Sequence, residues 1–353
     1  MNKFAVILAG GKGERFWPES REHRPKQMLS LFSGETLVEQ AVLRIHESVP
    51  YENILLVTNM KYAAQLRELL PQIRSGNIIG EPARRDTAPC IALAAGIIQA
   101  RDPEGIMMVF PADHVIANVA GFSRDLELAC SVSGDFITTI GVEPSFPSPD
   151  YGYIEPERNE KISAVRRFVE KPPRETAGRF LAAGNFLWNA GIFVWRVSTL
   201  KKAFTRYIPS LADFMDRTAE NWNTSSWETF LAEEFPRQQQ ISIDYAVMEK
   251  SSNIKVIRAG FDWDDVGNWN ALRNHLDPDA ENNIVVGNVR LLNCRNNIVY
   301  GRSSGRLIGG IDLENMVVIQ SDDVTLVCRN SSTNKLKEFL KEIGAEEELK
   351  KFL

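Results

Sequence analysis

Gly10-Gly11-Lys12-Gly13 closes an apolar run, with Arg15 two residues on and Lys26 inside Arg24-Pro25-Lys26-Gln27. A strand that ends in glycines lets backbone N–H groups come close to phosphate oxygens. Two fixed cations, Arg15 and Lys26, beside such a loop suit a triphosphate; a plain tight turn is the other reading. The spacing is not a dinucleotide fingerprint, because Phe16 stands where that pattern, counted from Gly11, requires glycine. Nor is it a P-loop, since no Gly-Lys-Ser/Thr closes it. Further along, Asp113 follows the apolar run 106–110. A carboxylate at a sheet's ligand edge can hold Mg²⁺ through one or two oxygens while phosphates supply others; a helix cap or a surface position is the alternative. Asp262, Asp264 and Asp265 crowd into Phe-Asp-Trp-Asp-Asp-Val-Gly, where three acids repel unless a cation or solvent relieves them.

Such residues need elements to position them. Residues 4–9, 53–58 and 106–110 are short runs, apolar throughout, as in strands buried on both faces of a parallel sheet. Between them, Leu37, Val38, Ala41, Val42, Ile45 and Val49 repeat at helical spacing, as do Ile91, Ala94, Ala95 and Ile98, with Thr87 as the expected cap and Pro89 in the first turn. This alternation predicts an α/β fold, a doubly wound sheet with its ligand at the strands' C-terminal ends. Strand signals continue at 136–142, 164–169 and 186–197, and helical ones at 199–207, 211–219 and 243–249. After His275 the texture changes. Asn, Gly and Asp punctuate short β-branched runs from 284 to 328, which predicts a small β domain or solenoid, and a charged helical tail spans 334–353. The boundary is placed near 277–283, giving domains at 1–277 and 284–353.

The series Gly10-Gly11-x-Gly13-x-Arg15-x-Trp17-Pro18-x-Ser20-Arg21, then Pro25-Lys26-Gln27, resembles the signature of sugar-1-phosphate nucleotidylyltransferases, in the Trp-Pro form of mannose-1-phosphate guanylyltransferases. Later motifs keep the family's order: Glu81-Pro82-x-x-Arg85-Asp86-Thr87-Ala88-Pro89, Pro111-Ala112-Asp113-His114, Tyr151-Gly152-Tyr153-Ile154, Phe168-Val169-Glu170-Lys171-Pro172, Trp188-Asn189-Ala190-Gly191, Ser242-Ile243-Asp244-Tyr245-Ala246 and Asp265-Val266-Gly267-Asn268-Trp269. The resemblance implies a nucleotidyltransferase Rossmann-like domain with a mixed, mostly parallel sheet. It also implies a C-terminal left-handed β-helix-like domain, expected to be structural and to make a homodimer. The implied reaction is GTP plus α-D-mannose 1-phosphate giving GDP-mannose and pyrophosphate. Longer members carry an added isomerase domain; this chain stops soon after the β region, so transferase activity alone is expected.

By the same resemblance Leu8, Ala9, Gly10, Gly11, Gly13, Arg15, Lys26, Glu81, Asp86, Thr87 and Asp113 would hold the nucleotide. Gly152, Glu170, Lys171, Asn189 and Gly191 would hold the sugar phosphate, and Asp113 with Asp265 would hold Mg²⁺. Arg15, Lys26, Asp113, Lys171 and Asp265 would carry the catalysis. Chemistry agrees at several of these. Lysine is a point charge suited to phosphate, and Glu170 offers acceptors to sugar hydroxyls, although a surface Glu–Lys pair reads the same locally. One carboxylate at Glu81 can accept both N1–H and N2–H of guanine, whereas adenine presents an acceptor at N1. Many members have Asn where Asp86 stands, so Asp86 is either a second base contact or a helix cap. Asp264 is expected to be solvated and Asp262 structural. Trp17, Trp188, Trp263 and Trp269, with Tyr151 and Tyr153, read as core or pocket walls.

Composition narrows the alternatives. Across 353 residues, 41 Lys and Arg oppose 46 Asp and Glu, a net charge of −5, which argues against general nucleic-acid binding. No apolar run approaches the roughly 18–20 residues of a membrane helix. The first residues lack a secretory signal's long apolar stretch and cleavage site. Cys90, Cys130, Cys294 and Cys328 form no CxxC pair and the four histidines are scattered, so a cytoplasmic protein with reduced thiols is expected. A guanylyltransferase for another sugar 1-phosphate, or a non-catalytic homologue that senses sugar nucleotides, are the competing functions.

Overall fold

Runs of aliphatic and β-branched residues build nine strands: β1 (Lys3–Ala9), β2 (Ile54–Asn59), β3 (Ile78–Glu81), β4 (Ile106–Pro111), β5 (Ile137–Val142), β6 (Tyr153–Pro156), β7 (Ile162–Val169), β8 (Leu187–Arg196) and β9 (Ile254–Arg258). The structure is a computed structural model that describes residues 2–11, 13–302 and 305–353; Lys12, in the glycine loop, lies outside the described residues. The chain divides into two compact units. One holds Met1–Gly10, Ala41–Ala112 and Ile116–Trp263; the other holds Gly11–Gln40, Asp113–Val115 and Asp264–Leu353.

In the first unit the nine strands form one sheet in the order β3-β2-β1-β4-β8-β5-β9-β7-β6. The parallel run covers β3-β2-β1-β4, and β5 pairs parallel with β9; the remaining pairings are antiparallel. The sheet is therefore mixed, with parallel order held where helical crossovers join successive strands. Those crossovers are α1 (Leu37–His46), α2 (Met60–Leu69) and α3 (Thr87–Arg101). Order reverses beside β1, whose chain neighbours lie on one side and β4 on the other, the place where such sheets receive ligands. α3 is buried from Ala88 to Ile98, which explains why it is apolar all round. Beyond it come α4 (Val119–Val132), α5 (Arg174–Ala183), α6 (Val197–Tyr207), α7 (Pro209–Asn221) and α8 (Trp227–Glu234). The expected cap Thr87 is instead the first helical residue. Asp86 is the cap, its Oδ1 accepting from Thr87 N at 2.8 Å.

In the second unit the punctuated C-terminal runs become β10 (Ile284–Gly287), β11 (Val289–Leu292), β12 (Ile298–Gly301), β13 (Ile308–Ile311), β14 (Met316–Gln320) and β15 (Thr325–Arg329). β10, β12 and β14 stack in parallel, β11 stacks on β13, and β15 closes antiparallel on β14. The corners explain the Asn and Asp content. Asn293, Asn296, Asp312 and Asn315 take left-handed φ of 54–58°, a region these side chains tolerate. Buried Asn283 and Asn297 form a ladder: Asn283 Oδ1 accepts from Asn297 Nδ2 at 2.9 Å, and Asn297 Oδ1 accepts from Met316 N at 2.8 Å. The coil's core, Ile298, Tyr300, Val317 and Ile319, joins Phe16, Trp17, Trp269 and the tail helix α9 (Leu336–Ala345) in one apolar cluster. The helical tail is shorter than expected and ends in a 3₁₀ stretch, Glu347–Phe352. The four cysteines are free. Among the described residues no helix is long and apolar enough to cross a membrane.

Candidate active site

The cationic and acidic residues of the second unit converge. Gly13 sits at φ 69°, and a Cβ there would fall 2.1 Å from Lys26 Cβ, so only glycine lets the loop lie against Lys26. The Lys26 side chain, 9% exposed, donates from Nζ to Asp113 Oδ2 and to the Asp265 carbonyl, both at 2.7 Å. Burial pushes the Asp113 carboxyl up, but the Lys26 ammonium and then His114 outweigh it and hold it below the usual carboxylate range. Asp265's carboxylate and Arg15 border Gly267: a Cβ on that glycine would meet both carboxylate oxygens at 3.4 Å and Arg15 Nη1 at 3.7 Å. Asp113, Asp265, Lys26, Arg15 and Gly13 are thus brought together.

Asp264 is not solvated. Its backbone pairs with Val115, and its carboxylate accepts from Asn274 Nδ2 at 2.7 Å, Val266 N at 2.7 Å and His275 Nε2 at 2.9 Å. Burial raises its carboxyl, and the bonds from His275, Asn274 and Val266 outweigh that and lower it. Val266, fully buried, stands at φ 48°, an outlier for a β-branched residue. Asp264 holds that strained turn, and the turn carries Asp265. Asp262 accepts from Ala117 N and Asn118 N at 2.7 Å, which ties two loop segments of the first unit.

In the first unit, β1 ends in Leu8 and Ala9, and Gly10 follows against the end of β3: a Cβ on Gly10 would lie 3.1 Å from Glu81 Oε1. Glu81 is 4% exposed and burial pushes its carboxyl up. Cys90, which the sequence alone does not mark, donates from Sγ to Glu81 Oε2 at 2.8 Å and fixes one carboxylate oxygen. Its position one turn into α3 was the available signal. Thr87 Oγ1 accepts from Ile243 N at 2.8 Å and ties α3 to the segment carrying Asp244. Asp86 serves as the helix cap, one of its two expected readings.

A third group lies at the ends of β6, β7 and β8. A Cβ on Gly152 would fall 2.6 Å from Glu170 Oε2, so a side chain there would push that carboxylate aside. Lys171 Nζ reaches Glu170 Oε1 at 2.6 Å while its side chain stays 57% exposed. Lys171 stands at φ 45°; among the described non-glycine residues at positive φ, Lys171 and Val266 are the two that are neither Asn nor Asp. Asn189 is engaged inside the protein: Oδ1 accepts from Thr139 Oγ1 and Gly191 N, both at 3.1 Å, and Nδ2 donates to Asp244 Oδ1 at 3.2 Å. Gly191 itself sits at φ 67°. Asp244 is a second residue whose place the sequence alone does not mark, although it lies in the Ser-Ile-Asp-Tyr-Ala motif. Burial, then the Glu170 charge, pushes its carboxyl up to about 7, with Lys171 opposing. A carboxyl poised this way can donate or accept toward a hydroxyl. Trp188 is buried and meets Tyr151 edge-on at 4.9 Å, while Trp263 is half-buried against Tyr151 at 5.4 Å, so these rings are walls.

The chain is 34% identical to the Xanthan biosynthesis protein XanB of Xanthomonas campestris, over 96% of this chain and 72% of that one. It is equally similar, 34% over 96% and 74%, to an Escherichia coli protein named mannose-1-phosphate guanylyltransferase. Residues 4–282 match the nucleotidyl transferase family. The chain belongs to the nucleotidyl transferase family. A second match follows the first: residues 287–343 fit the MannoseP isomerase/GMP-like beta-helix domain. A Thermus thermophilus structure described as mannose-1-phosphate geranyltransferase aligns with a TM-score of 0.87 at 31% identity, over 98% of this nucleotidyl transferase and 100% of that chain.

Proposed function

We propose that this nucleotidyl transferase moves GMP from GTP to α-D-mannose 1-phosphate, releasing pyrophosphate and forming GDP-mannose. The observation that carries the reading is the Lys26 ammonium held by the Asp113 carboxylate and the Asp265 carbonyl, with the backbone of Lys26 against Gly13, a fixed cation where the resemblance puts the triphosphate. A sugar-phosphate oxygen attacks the α-phosphorus, a new P–O bond forms, and the bond to the β-phosphate breaks with its electrons leaving on pyrophosphate. A phosphate monoester has a second pKa of about 6, so the attacking group needs no strong base near neutrality. Catalysis is then positioning plus charge stabilisation. Arg15 and Lys26 hold the triphosphate, Lys171 orients the sugar phosphate, and Glu170 and Asp244 offer oxygens to sugar hydroxyls. Asn189 acts mainly by holding Asp244 and Gly191.

The donor set fits Mg²⁺. The Asp113 carboxylate already holds one cation, the Lys26 ammonium, the Asp265 carboxylate lies beside Arg15 at Gly267, and among the described residues no cluster of three His, Cys, Asp or Glu supplies a full protein cage. A hard cation held by one or two carboxylates and substrate phosphates needs no more. When bound on Asp113 and Asp265, it would screen the charge of the two phosphate groups. Pyrophosphate release with GTP, measured against mannose, glucose, fucose and heptose 1-phosphates, tests the reading. Mannose 1-phosphate should be the fastest; a faster second sugar replaces the substrate, and no release with any of them removes the enzymatic reading.

Glu81 reads the base in this proposal, with Cys90 fixing one oxygen. Glu81→Gln should lower the GTP/ATP ratio of kcat/KM about ten- to hundredfold, because one charged hydrogen bond worth roughly 1.5–3 kcal/mol is lost. An unchanged ratio moves base recognition elsewhere.

Domains at 1–277 and 284–353, a cytoplasmic location and a homodimer complete the proposal; the net charge of −5 speaks against nucleic acid as a partner. The dimer is supported by exposed apolar side chains on the coil, Leu292 at 59% and its register neighbour Ile311 at 65%. Removing residues 284–353 would also unpack Phe16 and Trp17 beside the Lys26 segment, so point changes test the dimer better. Leu292→Lys with Ile311→Lys should give a folded monomer by sizing at micromolar concentration. A wild-type chain that is already monomeric there rules the dimer out.

A further inference from the structure

Within the first unit a cavity of about 1100 Å³ runs along the outer edge of β3, between α2, the last turn of α3 and the α7–α8 turn. It uses none of the residues assigned above; Glu81 ends β3, while this cavity begins at the turn Ser75–Asn77 before the strand. Three guanidinium groups line it: Arg67, Arg74 and Arg101. Arg67 Nη2 donates to Ile78 O at 3.0 Å and Arg101 Nη2 to Asn77 Oδ1 at 2.8 Å. Asn77 is itself buried and anchored through Nδ2 to Glu52 O and Ile54 O. The guanidinium of Arg101 also lies 5.5 Å from the Trp222 ring centroid, and Trp227 stands edge-on to Trp222 at 4.7 Å.

Elsewhere arginines are paired with acids, as in Arg21–Asp323, Arg217–Glu234 and Arg295–Glu314. Here, among the described residues, none of the three forms an ion pair, and the lining holds one carboxylate, Glu228. Burial, and then the charge of Arg74, lowers the basicity of Arg101. Like charges held together around an open space are relieved by an anion, and a guanidinium fork matches phosphate oxygens two at a time. The two tryptophan rings, at 89° to each other, supply an apolar corner for a ring. The volume lies just above the usual span of small-molecule sites, roughly 300–1,000 Å³, so it has room for a nucleotide.

We propose that this cavity is a second ligand site, taking a phosphorylated small molecule of nucleotide size: phosphates on Arg67, Arg74 and Arg101, and a ring against Trp222 and Trp227. The inference does not depend on the proposed reaction. Equilibrium dialysis with GDP, inorganic pyrophosphate and guanosine tests it on the wild-type chain and on Arg74→Glu, a change at an exposed residue. The readout is the difference between the two proteins, so occupancy of the candidate active site cancels. Arg74→Glu should lose one GDP-binding event per chain or weaken it about tenfold or more, pyrophosphate should follow GDP, and guanosine should show no difference. The variant's transfer rate should match wild type. Hydrogen exchange on the wild-type chain gives a variant-free check: GDP should protect backbone amides of residues 74–77 and 222–228. Equal GDP and pyrophosphate binding in both proteins, or no protection at those amides, overturns the site. Loss of pyrophosphate binding alone, with GDP unchanged, overturns the nucleotide assignment.

Discussion

Asp265→Asn is expected to slow nucleotidyl transfer by about 10²–10³, the loss that follows removal of one preorganised charge, roughly 3–4 kcal/mol, from a water-poor site. The amide keeps the volume and leaves the Asp265 carbonyl on Lys26, so the clamp on that lysine survives. What disappears is the charge beside Arg15 and Gly267 that the proposal gives to Mg²⁺. Raising Mg²⁺ should therefore recover part of the rate. Asp264→Asn should behave differently, because Asp264 acts through structure. Its carboxylate takes three donors and holds the strained turn at Val266. Asparagine can keep a bond or two but loses the charge, so denaturant midpoint should fall and Mg²⁺ should restore nothing. The pH dependence follows from the sign. A carboxyl lowered on folding adds stability above its unfolded pKa, and that stability is lost as pH falls through the lowered folded value. Wild type should lose this increment in acid, below the ordinary carboxylate range, while Asp264→Asn should lack it already at neutrality. Steady-state rates over a Mg²⁺ titration, with unfolding curves for both variants, separate the cases. A rate loss larger for Asp264→Asn and recoverable by Mg²⁺ would place the metal contact there.

Much of this was legible in the residues. Apolar runs located β1, β2 and β4 because buried parallel strands show no alternation. β3, β6 and β9 are four or five residues long and stand singly, outside the evenly spaced series of runs that marks the equally short strands of the coil. The acids of Phe-Asp-Trp-Asp-Asp-Val-Gly could be counted in the sequence but not sorted. Whether Asp264 is solvated depends on His275 and Asn274, about ten residues away, and no local pattern encodes that meeting. Cys90 and Asp244 are illegible in the sequence for a similar reason. A cysteine in an apolar helix and an acid in a polar segment look ordinary until Glu81 and Asn189 are seen against them. The Asn-rich corners of the coil were the opposite case. The residue type directly reports the left-handed backbone, so the punctuation alone announced the architecture.

Gly13→Ala carries the second large effect. The loop glycine stands at φ 69°, where an alanine costs about 1 kcal/mol, a loss the fold could absorb. The contact is the greater obstacle. The new Cβ would lie 2.1 Å from Lys26 Cβ, 2.8 Å from Lys26 N and 2.9 Å from Lys26 Cα. Two of those atoms are backbone, so no change of rotamer relieves the overlap. Ordinary carbon contact is about 3.5–4.0 Å, so the loop and the Lys26 segment must separate by more than about 1 Å. Lys26 is fixed at its far end by Asp113 and the Asp265 carbonyl, and its ammonium would be drawn off those oxygens. Misplacement on this scale costs about 10² in rate even when the chemical groups are all present. Gly13→Ala should thus lower kcat/KM for GTP about a hundredfold while the chain stays folded. Gly34→Ala, where a Cβ meets nothing within 4 Å and φ is not positive, is the matched control and should change little. Activity and melting temperature for the pair decide the point. A folded Gly13→Ala protein with wild-type kcat/KM would mean that the position of Lys26 does not limit the reaction.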